Sequence, residues 1–91
     1  MNPHIEELRA TISELEHALR ELKTDDHAAR QKLEEAVLEA RAALNDETLS
    51  ETQRHSLIER LEESVVKFEA THPTLTITLA RLIDGLALMG I

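Results

Sequence analysis

The stretch "IEELRATISELEHALREL", Ile5–Leu22, decides the fold class. Its apolar residues fall at Ile5, Leu8, Ile12, Leu15, Leu19 and Leu22, in alternating steps of three and four. That spacing keeps one side of an α-helix turned toward a neighbour, so it predicts an amphipathic helix over about 4–23. Glu6, Glu7, Glu14, Arg20 and Glu21 take the outward positions. The two flanks of the stripe differ: Thr11 and Ala18 stand on one side, Arg9, Glu16 and Lys23 on the other. One flank is small enough to be covered while the other carries charge to the edge of the seam, which suits a helical bundle better than a free two-stranded coil.

Working outward, "KTDDHAARQ" (23–31) interrupts the stripe. Thr24 is the expected N-cap of a second helix, with Asp25 and Asp26 favouring its first turn. No Gly or Pro enforces a break there, so a continuous rod of about forty residues, near 60 Å long, is the alternative. The second helix, 26–44, turns Ala29, Leu33, Ala36, Val37, Ala40, Ala43 and Leu44 to one side, and the alanines would let another helix come close. "NDETLSETQ" (45–53) is the main connection, where Ser50 and Gln53 match a capping box and Asp46 offers an earlier start. A third helix, 50–70, presents Leu57, Ile58, Leu61, Val65 and Phe68 inward, with Glu63 and Lys67 paired one turn apart outside. It should stop at Thr71 or His72, because Pro73 disfavours the helical conformation in the residue before it and itself suits a first helical position. The fourth helix is expected over 73–89, with Gly90 as its stop. The expected fold is thus all-α: three to four amphipathic helices in antiparallel hairpins or a bundle, with an extended first hairpin as a variant, in one domain over 1–91.

The fourth segment differs from the rest. Residues 71–91 carry one basic and one acidic group, in a chain with a formal charge of −8. Leu75, Leu79, Leu82, Leu86 and Met89 form one stripe, and Ile77, Ala80, Ile83, Ala87 and Leu88 spread apolar surface around the others. A helix apolar on most sides is expected to be surrounded. A membrane span needs about 20 largely apolar residues, whereas this segment is shorter and contains Arg81 and Asp84, so no stable membrane insertion is expected. The first stripe is assigned to the chain's own core. Ile77, Ile83 and Leu88 are the expected interaction surface, completed in a homodimer or another homo-oligomer, with docking of a different protein as the alternative. Gly85, inside a helix at a cost of roughly 1 kcal/mol against alanine, suggests a close helix crossing.

Chemistry finds little material. The acidic balance disfavours a polyanion such as nucleic acid, and Phe68 is the only aromatic residue on which a base could stack. There is no Cys. His55 and Glu59 stand one turn apart, with Glu51 one turn before them, and give the metal-binding or catalytic alternative its only candidates. Glu34–Glu35 and Glu62–Glu63 point apart on their helices; Ser50, Ser56 and Ser64 lack a nucleophile elbow; two glycines cannot build a phosphate loop. No enzyme, no cofactor and no metal site is expected. His72 is either a proton switch or a capping residue beside the proline corner, and capping is the favoured role. The start, "MNPHIEELRA", is acidic where a secretory leader would be basic and then apolar, and a cytoplasmic location is expected. The expected function is a small structural or protein-interaction module that self-associates.

Val65-Val66, Phe68-Glu69, His72-Pro73-Thr74-Leu75, Leu79, Leu86 and the terminal Met89-Gly90-Ile91 resemble the carboxy-terminal signature of a family of small bacterial proteins known only as a domain of unknown function. The resemblance implies a cytoplasmic, all-helical protein and brings no activity, ligand or catalytic residue with it.

Overall fold

The computed structural model describes residues 3–46 and 49–89. They form four α-helices: α1 (Pro3–Glu21), α2 (His27–Asp46), α3 (Glu51–Phe68) and α4 (Pro73–Leu88). The expected stop at Gly90 lies outside the described residues. Each helix packs on its neighbours in sequence and α1 also packs on α4, so the four close into a ring with α1 diagonal to α3 and α2 diagonal to α4. The sense is up-down-up-down. On α1 and α4, His4 meets Gly85 and Glu14 meets Arg81; on α1 and α2, Arg9 meets Leu44 and Glu16 meets Arg41. The bundle measures 38 × 22 × 18 Å.

The forty-residue rod does not form, and the cap that breaks it is not Thr24. The Asp26 carboxylate accepts from the Ala29 backbone N–H at 3.0 Å, making Asp26 the N-cap of α2, while the Thr24 hydroxyl accepts from Asp26 N–H at 3.1 Å and shapes the turn before it. The last carbonyls of α1 find a donor that lies eight and eleven residues ahead: Arg30 donates to Leu22 O at 3.1 Å and to Leu19 O at 2.9 Å. A guanidinium at a helix C-terminus also faces the negative end of its dipole. α3 starts with the full capping box, Ser50 and Gln53 each accepting from the other's backbone. Asp46 is the last residue of α2 and starts nothing.

Inside the ring, Ile12 and Leu15 of α1, Leu33 and Val37 of α2, Leu61 and Phe68 of α3, and Leu79, Leu82 and Leu86 of α4 are fully buried. Ala29, Ala36 and Ala40 are buried as well, while Ile58, Val65 and Met89 pack on the core half-covered. The buried hydroxyls of Thr11 and Ser64 donate to the carbonyls one turn earlier, Glu7 O at 3.0 Å and Arg60 O at 3.4 Å, and so need no partner across the core. Gly85 has the expected role. A Cβ built there would stand 2.1 Å from Leu8 Cδ2, so the missing side chain is what lets α1 and α4 come together. His4 Nε2 donates to the Gly85 carbonyl at 2.9 Å across the same contact.

Candidate interaction surface

α4 begins at the corner set by Pro73. His72 occupies its N-cap position, as expected, with φ −137° and ψ 66°, and its carbonyl accepts from Thr76 N–H, but its side chain makes no capping bond. Its ring reaches across the end of the bundle, where Nε2 donates to Lys23 O at 3.0 Å and Nδ1 lies 2.9 Å from the Thr71 hydroxyl. The ring also stands edge-on to Phe68, with centroids 5.8 Å apart. His72 therefore ties the α3–α4 corner to the α1–α2 turn. The threonines of α4 look after themselves: Thr76 donates to Pro73 O and Thr78 to Thr74 O.

Along α4 the inward side is Leu75, Leu79, Leu82, Gly85 and Leu86. The outward side carries Ile77, Ala80, Arg81, Asp84, Ala87 and Leu88, all exposed. Ile77 is 63% and Leu88 57% accessible, large values for branched apolar side chains. Ile83, expected outward with them, is half-buried and packs on the core instead. Six residues from Ile77, it sits well round the helix from that face. Arg81 donates to Glu14 Oε2 of α1 at 2.8 Å and remains about half exposed. Leu38 of α2 and Val66 of α3 are exposed too, at 61% and 71%. Sequence reasoning offered neither as an interaction surface: Val66 entered only with Val65 in the family signature, and Leu38 fell outside the apolar side of α2.

The other candidates stay apart. His55 Nε2 and Glu59 Oε1 pair at 2.9 Å on an open face of α3, whereas Glu51 lies 3.9 Å from Arg54. Among the described residues no three His, Asp or Glu side chains gather as a metal site would need. Glu34 pairs with Arg30, and Glu35 accepts from Gln31. A shallow groove runs between α2 and α3, floored by alanines and crossed by the Arg60–Glu39 ion pair. Among the described residues no helix is long and apolar enough to cross a membrane.

The family model described as Domain of unknown function (DUF4404) matches residues 8–91. The chain belongs to that family. No curated protein and no solved structure matches it.

Proposed function

We propose that this member of the family is a small structural or protein-interaction module that self-associates through the outward face of α4. One observation carries the reading: Ile77 and Leu88 lie well exposed on the same side of a helix whose opposite side is fully inside the bundle. Full burial of a large apolar side chain is worth roughly 1.5–3 kcal/mol, so two such residues in each copy weigh appreciably against the cost of association. In this reading the Phe68-Glu69 and His72-Pro73-Thr74-Leu75 parts of the signature serve architecture: Phe68 and Leu75 sit in the core and His72 braces the two turns. The protein is then cytoplasmic and non-enzymatic, takes no cofactor and does not bind nucleic acid. Sedimentation equilibrium tests the reading. A mass of two chains is expected; the mass of a single chain at every concentration would reject it and favour a surface kept for a different protein.

A further inference from the structure

The outward stripe of α4 reads Ile77, Arg81, Asp84, Leu88. Its steps are four, three and four, the same from either end, and they keep all four residues on one side of the helix. Ile77 and Leu88 lie about 16 Å apart along the axis, with the two charges between them about 4 Å apart. Reversed, the stripe again runs apolar, charged, charged, apolar, but with the signs exchanged. In an antiparallel pair of such helices, positions whose numbers add to the same total stand opposite each other. The pairs 77 with 88 and 81 with 84 share one total, so a single register satisfies the whole stripe.

We infer that two copies of this chain pair through α4, antiparallel about a two-fold axis passing between Leu82 and Ile83, with Ile77 of each copy against Leu88 of the other and Arg81 against Asp84. The inference rests on the self-association reading and gives it a geometry. A parallel pairing would set Arg81 on Arg81 and Asp84 on Asp84, a repulsive arrangement twice over, so charge selects the antiparallel sense. Small residues flank the stripe at Ala80 and Ala87, both exposed, and permit close approach of the helices. Arg81 is free to serve both copies, since its guanidinium has five donors and Glu14 takes one Nη1 bond. A two-fold contact makes each of these pairs occur twice.

The test uses the full chain and reads dimer dissociation by sedimentation at protein concentrations up to about 1 mM, with circular dichroism confirming that each variant is folded. Ile77→Asp and Leu88→Asp should each weaken the dimer at least about tenfold. Leu38→Asp, equally exposed but on the diagonal helix α2, should leave it unchanged. Asp84→Arg places like charges opposite each other at both pairs and should weaken it by about tenfold; adding Arg81→Asp should restore most of the loss. Dimers that persist in both Ile77→Asp and Leu88→Asp would overturn the α4 interface while leaving self-association standing. Failure of the double charge reversal to recover affinity would overturn the antiparallel register. A wild-type chain that is monomeric throughout would remove the self-association reading and this inference together.

Discussion

At Gly85 helix propensity and packing pull in opposite directions. Alanine there would gain about 1 kcal/mol of propensity, yet its Cβ would stand 2.1 Å from Leu8 Cδ2, so the buried Leu8 side chain would have to shift within the core. Overpacking of a filled core costs about 1–3 kcal/mol, so Gly85→Ala should be net destabilising by about 1 kcal/mol in urea unfolding. The cause can be isolated by a double-mutant cycle: with Leu8→Ala the two losses should fall short of additivity by at least about 0.5 kcal/mol. Strict additivity would mean that the close crossing is not what the glycine serves. His72→Ala removes both the bond to Lys23 O and the ring contact with Phe68, and should lower stability by about 1–2 kcal/mol. His72→Phe keeps a ring beside Phe68 and should recover part of that, as read by the urea midpoint.

Helix ends in this protein are closed both by local caps and by a side chain from a neighbouring helix. α2 is capped locally by Asp26, α3 by the Ser50–Gln53 box, and α1 at its C-terminus by Arg30 of the next helix. Asp26→Ala should therefore cost about 1 kcal/mol, and Thr24→Ala less, because the threonine bonds only within the turn. Chemical denaturation of the two variants orders them, and the reverse order would restore Thr24 as the cap. The α1–α2 seam is closed on its open side by Arg41, which grips both oxygens of Glu16 at 3.0 and 2.7 Å and the Ser13 hydroxyl at 2.9 Å. The charged flank expected of α1 is thus the flank that meets α2, while the small one, with Thr11 and Ala18, is covered in the bundle.

For the whole molecule, the two sides of α4 should answer a charge in opposite ways. Leu79→Asp places an unpaired carboxylate at a fully buried position and should cost more than about 4 kcal/mol, enough to unfold a domain this small; loss of the helical circular-dichroism signal is the readout. Ile77→Asp should leave that signal intact. The formal charge of −8 on each copy opposes association over a range that salt shortens, whereas opposed side chains in contact are screened less. Raising the salt from about 0.01 M to about 0.15 M should accordingly strengthen the dimer. Weakening over that range, seen by sedimentation, would mean that exposed ion pairs rather than apolar contacts hold it.

How much of this was legible beforehand follows from the range of each interaction. The all-α class, the inward residues of α1, α2 and α3, the capping box at Ser50 and the proline corner at Pro73 are local: periodicity and caps are written within a few neighbouring residues, and the chain by itself determined them. α4 carries apolar residues on most sides, so its period does not say which side is the core. That Ile83 packs on the core while Ile77 and Leu88 face out is decided only once α1 and α3 flank it. The bond from His72 to Lys23 O spans 49 residues and the Arg41–Glu16 pair spans 25. No local pattern encodes such pairs. The second exists because α2 folds back along α1; the first because the ring closes with α1 against α4, where a helix surface with a gap at Gly85 meets another with Leu8 to fill it.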